Sequence, residues 1–318
     1  MSLPPAESIL AAAARISPVV KRTRILRSDG LSRLAKADVR LKLENEQITG
    51  SFKLRGAMNV IASLDSSARS RGVVASSAGN HGLGVAYAAK HFGVRATIFI
   101  PSNAPRVKRD GIVALGATVD EMQPHYDAAM DAAKAFAAQQ GSTFINPCLG
   151  HELLAGQGTV ALEILAECPG LRTLVVSVGG GGLLGGCASL LRENAPSVRI
   201  VGAQSENTAA MSKSIAADRV VEIPNLPTLA EGLAGQVDEE ALSIGRAGLD
   251  DIVTVTELEL GRGILWLLDH HGMKVEGAGA VGVAAILTGK LKVEGETVVV
   301  ISGGNVDEAR LTELRNAV

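Results

Sequence analysis

From residue 70 onward, short runs of β-branched residues alternate with alanine-rich stretches of helical period, and this alternation limits the fold more than any other feature. Runs at 72–76, 95–100, 117–122, 142–146, 172–178, 198–204 and 297–302 interleave with helical patterns at 80–92, 105–115, 126–140, 151–167, 183–194 and 280–287. Continuous apolar strands separated by helices of ten or more residues predict an α/β architecture, with parallel-rich sheets flanked by helices on both faces. Hydrophobic residues make up 47 % of the chain and charged residues 20 %, which excludes disorder and supports a packed core. A length of 318 residues predicts two domains. No repeat, low-complexity segment or Pro/Gly/Ser-rich linker divides them. The least regular connections, 46–51 and 146–150, bracket a subdomain of about a hundred residues.

Charge and hydropathy narrow the partners. With 31 Lys+Arg against 33 Asp+Glu and no basic stripe, the chain offers nucleic acid no electrostatic footprint. No run approaches 18 apolar residues, so no membrane span is expected. Residues 1–16 lack a basic region ahead of their apolar stretch and carry Glu7, reading as a starting helix and not a signal peptide. Cys148, Cys168 and Cys187 are odd in number and lack C-x-x-C spacing, which predicts reduced thiols in a cytoplasmic setting, each packed as a small buried hydrophobe.

Many of the 36 glycines cluster at strand-to-helix junctions. The strongest cluster, Gly179-Gly180-Gly181-Gly182, directly follows one apolar run and precedes a helix from Leu183. Bare backbone at a helix N-terminus suits a phosphate. A Walker loop is excluded because no Gly-Lys-Ser/Thr follows. Gly180, Gly182 and Gly185 also match G-x-G-x-x-G, with Glu206 about 20 residues beyond, as a dinucleotide-binding unit demands. An NAD-dependent oxidoreductase is therefore the competing reading, although such a unit would start at residue 172 and leave the first half of the chain unexplained.

Three further loops carry polar side chains. Ser76-Ser77-Ala78-Gly79-Asn80-His81-Gly82 combines small residues, a helix start and an amide, which suits a carboxylate; capping by Ser76 or Ser77 explains only part of it. Ser302-Gly303-Gly304-Asn305 closes the last strand at its carboxyl edge, where open α/β sheets bind ligands, and reads equally as a capped turn. In Thr49-Gly50-Ser51-Phe52-Lys53-Leu54-Arg55-Gly56-Ala57, Ser51 is positioned to cap a helix whose first turn holds Lys53. An amine at the positive end of a helix suits Schiff-base chemistry, while a lone lysine is ordinarily a solvated surface residue. Other motifs fail. His151-Glu152 lacks the second histidine of a zinc pair, since position 155 is alanine. The adjacent His270 and His271 cannot share a helix face and read as solvated, and Arg106, Lys108, Arg109 and Asp110 read as an exposed helix face.

Together these loops resemble the pyridoxal-phosphate-dependent serine/threonine dehydratase family of fold type II, related to serine racemase and the tryptophan synthase β subunit. The resemblance runs from Glu44 to Asn305 and includes Ala155-Gly156-Gln157-Gly158-Thr159. It implies a two-domain fold, with 1–52 and 147–318 as the large cofactor-binding domain and 53–146 as a small mobile one. It implies that Lys53 holds pyridoxal 5'-phosphate as a Schiff base beside Phe52 and that Asn80 bonds the phenolic oxygen. Gly179, Gly180, Gly181, Gly182 and Leu183 cradle the phosphate by the same resemblance, Ser302 faces the ring nitrogen, and Glu276 lies close to the cofactor. Ser77, Ala78, Gly79, Asn80 and His81 bind the substrate carboxylate, with Lys53 and Ser77 as the catalytic candidates.

The expected reaction is β-elimination from L-threonine or L-serine, giving a 2-oxo acid and ammonia, in a cytoplasmic homodimer. Racemases of the family carry a serine where this chain has Ala78, which disfavours racemisation, although Ser77 stands next to it. Gln204 and Ala210 fall where metal-binding members carry carboxylates, so no metal is expected. The chain ends soon after the Ser302 motif, leaving no room for a regulatory domain of the biosynthetic threonine dehydratase kind. Serine racemase and 3-hydroxyaspartate dehydratase remain alternatives within the family, and a non-enzymatic cofactor-binding regulator one outside it.

Overall fold

The computed structural model describes residues 3–317. In chain order the elements are α1 (Ala6–Ile16), β1 (Ile25–Arg27), α2 (Asp29–Ala35), β2 (Asp38–Leu43), α3 (Lys53–Ser63), α4 (Ser66–Arg71), β3 (Val73–Ser76), α5 (Asn80–Phe92), β4 (Ala96–Pro101), α6 (Arg106–Ala114), β5 (Thr118–Gln123) and α7 (Tyr126–Gln140). There follow β6 (Thr143–Phe144), α8 (His151–Glu167), β7 (Leu171–Ser177), α9 (Gly182–Asn194), β8 (Arg199–Ser205), α10 (Ala210–Ala216), α11 (Glu239–Gly248), β9 (Asp251–Val255), α12 (Glu257–His271), α13 (Gly277–Leu287), β10 (Glu296–Ile301) and α14 (Glu308–Ala317). Six strands form one sheet in the order β1-β2-β10-β7-β8-β9, parallel except for the β1–β2 edge. Four form a second, wholly parallel sheet in the order β5-β4-β3-β6.

The continuous apolar runs arise because each sheet is covered on both faces. Along β7 and β10, Leu174, Val176, Val298 and Val300 enter a core with α1, α8 and α9. Their neighbours Val175, Val299 and Ile301 point the other way, into a core with α12 and α13. The smaller sheet repeats the arrangement: Val73, Ala75, Ile98 and Ile100 meet residues of α3 and α5, whereas Val74 and Phe99 meet Ala129, Ala133 and Ala137 of α7.

Not all the glycine serves ligand loops. A Cβ on Gly158 in α8 would lie 2.6 Å from the Gly186 carbonyl oxygen in α9, and one on Gly156 would lie 2.6 Å from that of Arg55 in α3. These residues let three helices approach backbone to backbone.

A buried ionic cluster ties α3 to the larger sheet. The Arg55 guanidinium donates to both carboxylate oxygens of Glu44 at 2.8 Å, to Glu163 at 2.7 and 3.0 Å, and to the Thr159 hydroxyl at 3.1 Å. Lys42 joins by donating to Glu163 and to the Thr23 carbonyl. Burial opposes both charges of the Arg55–Glu44 pair. Their mutual attraction and hydrogen bonds outweigh it, holding the Glu44 carboxyl below its ordinary range and raising Arg55 above its own. Arg55→Met should lower stability by about 3–5 kcal/mol, because Glu44 is then buried without its main cation. The measurement is the urea midpoint at unchanged slope. A shift worth under about 1 kcal/mol would show that Lys42 suffices to neutralise the cluster.

Candidate active site

The carboxyl ends of the strands open onto a cavity of about 1160 Å³, and every residue that the family resemblance assigns to cofactor, substrate or catalysis lines it. Phe52 and Lys53 come from the start of α3; Ser77, Ala78, Gly79, Asn80 and His81 come from the β3–α5 junction. Gly179, Gly180, Gly181, Gly182 and Leu183 come from the β7–α9 junction, Glu276 precedes α13, and Ser302 follows β10.

Lys53 is the first residue of α3, and its Nζ donates to the Pro147 carbonyl at 2.6 Å and lies 3.9 Å from Cys148 Sγ. The cap differs from the sequence expectation. Phe52 is the N-cap, and the Ser51 hydroxyl is buried without a partner. Ser51 instead forms an isolated antiparallel bridge with Gly303, reinforced by Phe52 N–H to the Ser302 carbonyl at 3.1 Å and Gly304 N–H to the Gly50 carbonyl at 2.9 Å. The lysine loop and the Ser302 loop are thus zipped together.

At the glycine turn, Gly181 adopts φ +87°, a conformation costly for any residue with a side chain, and sends the chain into α9. The first-turn N–H groups of that helix have no partner within it, and Gly179 to Leu183 line the cavity. Charge-accepting backbone at the positive end of a 13-residue helix is an anion site.

The remaining side chains form two small networks. The buried Ser177 and Ser302 hydroxyls lie 3.1 Å apart. Asn80 donates its amide to Glu276 Oε1 at 2.7 Å and accepts from the Asn305 amide at 2.7 Å. Burial raises the Glu276 carboxyl to about 7, only partly offset by the Asn80 hydrogen bond. Burial lowers His81 to about 3, the Lys53 charge pushing the same way. The ring is therefore neutral, and its Nε2 lies 2.9 Å from the Ile145 carbonyl. The Ser77 hydroxyl accepts from Gly79 N–H at 3.1 Å and does not cap α5, whose N-cap is Gly79.

Several cavity residues escaped the sequence reading. Lys108, read as surface, lines the cavity with Gly111 one helical turn away, and its Nζ lies 2.7 Å from Glu231. Cys148 lines the cavity too, unlike the fully buried Cys168 and Cys187. His271 is half-buried and 2.9 Å from the Ser28 hydroxyl rather than solvated. Gln204 is buried, donating to the Val178 and Thr208 carbonyls at 2.9 and 2.8 Å, and Ala210 begins α10. Among the described residues no group of three or more His, Cys, Asp and Glu is arranged to hold a metal ion, and no helix is long and apolar enough to cross a membrane.

Residues 16–304 match the model of the pyridoxal-phosphate dependent enzyme family. The L-threonine ammonia-lyase of Thermotoga maritima is 41 % identical over 312 residues, covering 98 % of this chain and 78 % of the relative. The structure of maize serine racemase superposes with a TM-score of 0.94 at 31 % identity, covering 99 % of this chain and 98 % of that one. Threonine deaminase isoform 2 of Solanum lycopersicum, in its processed form, gives 0.92 at 29 % identity, covering 98 % and 86 %. The dinucleotide reading is thereby corrected. Its third glycine, Gly185, faces Ile244 and Leu154, and its acidic residue, Glu206, ion-pairs with Lys290 outside the cavity lining.

Glu276 generates a test by pH. Its folded value near 7 lies above its ordinary 4.5, so the folded state binds more protons between those values and loses stability as pH rises through them. In cofactor-free protein, Glu276→Gln should remove this loss, gaining up to about 3 kcal/mol on wild type at pH 8 relative to pH 4. Thermal unfolding at the two pH values reads it, and parallel pH curves for the two proteins would refute it.

Proposed function

The chain belongs to the pyridoxal-phosphate dependent enzyme family, and on that premise we propose that it is an ammonia-lyase converting L-threonine or L-serine to a 2-oxo acid and ammonia. The residues present fit the cofactor. The side-chain-free turn at Gly179–Gly182 and the open N–H groups of α9 suit its phosphate, with Leu183 completing the cradle. Lys53, beside Phe52 in the same cavity, suits its aldehyde. The neutral hydroxyl of Ser302, buried against Ser177, suits the ring nitrogen, and the Asn80 amide suits the phenolic oxygen beside Glu276.

When bound, the cofactor supplies a sink for the electron pair left at Cα after proton loss. The loop from Ser77 through Ala78, Gly79 and Asn80 to His81 receives the substrate carboxylate at the start of α5. Lys53, whose amine lies in the same cavity, would take the proton from the substrate Cα in its uncharged form. Because Ser302 and Ser177 carry no charge, they would not hold the cofactor's ring nitrogen protonated, which favours departure of the β-hydroxyl, with a proton, as water. The released enamine tautomerises and hydrolyses to the 2-oxo acid and ammonia.

The observation that carries elimination over racemisation is the one-sided proton chemistry. Position 78 is alanine and supplies no acid or base. The same reading divides the chain into 53–146 and the remainder, with the Lys108–Glu231 ion pair joining them at the cavity, and places a homodimer in the cytoplasm with its cysteines free.

Lys53→Ala should abolish covalent cofactor attachment, read by visible absorbance and by mass after borohydride reduction, and lower 2-oxo acid formation by roughly 10³-fold or more. Retained attachment would overturn the role of Lys53. With L-serine, pyruvate should greatly exceed D-serine on chiral chromatography; the reverse would make the protein a racemase. Across a panel of serine, threonine and 3-hydroxyaspartate, the last should be the poorest substrate, and its being the best would reassign the substrate class.

A further inference from the structure

Asn305 lies three residues beyond Ser302, outside any helix or strand, and lines the same cavity. Its side-chain amide makes two directional bonds: Nδ2 donates to the Thr49 carbonyl at 2.9 Å and to Asn80 Oδ1 at 2.7 Å. A backbone carbonyl can only accept, so the Thr49 bond fixes which end of the Asn305 amide is NH2. The atom of Asn80 that meets the same NH2 must then be its oxygen. The NH2 of Asn80 is left facing the other way, toward Glu276 Oε1 at 2.7 Å.

The clamp is tight on its far side as well. Gly50 packs so closely that a Cβ there would lie 2.3 Å from Asn305 Oδ1, and Gly50 and Gly304 are joined by a backbone hydrogen bond. Rotation of the Asn305 amide would break its bond to Thr49 and press NH2 against the glycine. One polarity therefore runs from the lysine loop, through Asn305, to Asn80.

We propose that Asn305 is a positioning residue that holds the Asn80 amide in the orientation presenting its NH2, and not its oxygen, to the phenolic oxygen of the cofactor. The proposal rests on the assignment of Asn80 to that oxygen. A donor there favours the ionised phenolic form, which absorbs in the visible; an amide oxygen turned toward it would repel that form and favour the near-ultraviolet one. Asn305 acts without touching the reacting atoms.

The test uses the full-length holoenzyme with Asn305→Asp, Asn305→Ala, Asn80→Ala and the Asn80→Ala/Asn305→Ala double variant. A carboxylate at 305 donates to neither partner. Asn305→Asp and Asn305→Ala should each lower the ratio of visible to near-ultraviolet cofactor absorbance by at least about twofold and release pyridoxal phosphate on dialysis faster than wild type, while the thermal midpoint of the cofactor-free protein falls by no more than the loss of its two partly exposed hydrogen bonds explains. The double variant should match Asn80→Ala alone, because Asn305 works through that side chain. An altered ratio in Asn80→Ala with an unaltered one in both Asn305 variants would overturn the proposal, as would additive effects in the double variant. A fall in thermal midpoint with no change in ratio would make Asn305 merely structural. An unaltered ratio in Asn80→Ala would overturn the Asn80 assignment itself, and the proposal with it.

Discussion

The pair formed by Arg55 and Glu44 is the constraint on which the site depends. Arg55 stands two residues after Lys53, near the start of α3, and its guanidinium is grasped by Glu44 at the end of β2 and by Glu163 on α8. Three segments distant in sequence are thereby fixed at the point where the lysine must emerge. Burying such charges is expensive, and their value lies in geometry, since a planar fork accepts few arrangements of two carboxylates. Apolar packing of the same volume would let α3 slide or rotate; the guanidinium does not.

On that brace rests a set of loops that share one edge of the architecture. Within each sheet the parallel strands place their carboxyl ends on the same side, and the two sheets are set so that the β3–α5 and β7–α9 junctions and the tail of β10 line one cavity. The lysine loop joins this group because it leaves the carboxyl end of β2, the parallel neighbour of β10, and the bridge between Ser51 and Gly303 ties it there. Backbone N–H groups offer room for an anion, the neutral hydroxyls of Ser177 and Ser302 meet, and desolvation raises the carboxyl of Glu276 at the cavity wall.

Most strands from residue 70 onward were legible as apolar runs, with β5 carrying Asp120 and Glu121 as an exception, and the helices between them because they keep a helical period. β1, β2 and β9 were not. β1 is three residues long, β2 carries Arg40 and Lys42 within its run, and β9 is half-exposed. Lys42 looks like a surface residue in sequence and is buried only because Glu163, more than a hundred positions away, meets it. The glycine loops announced an anion site by composition, yet Gly156, Gly158 and Gly186 belong to helix contacts that no local pattern distinguishes from ligand loops. Ser51 was misread as a cap for a similar reason: its backbone is engaged by Gly303, a partner no local rule supplies. Lys108 and Cys148 reach the cavity through tertiary placement alone.

The position of β10 has a consequence for the order in which the molecule can be made. This strand lies between β2 and β7 and pairs in parallel with both, so those two never touch through hydrogen bonds of their own. While the chain leaves the ribosome, β2 and β7 each present an unpaired edge until residues 296–301 arrive. The lysine loop waits as well, since its bridge partner Gly303 follows that strand directly. The nascent chain thus holds the lysine loop and the glycine turn in separate, unfinished pieces, and the cavity they share is whole only once residue 303 has been translated.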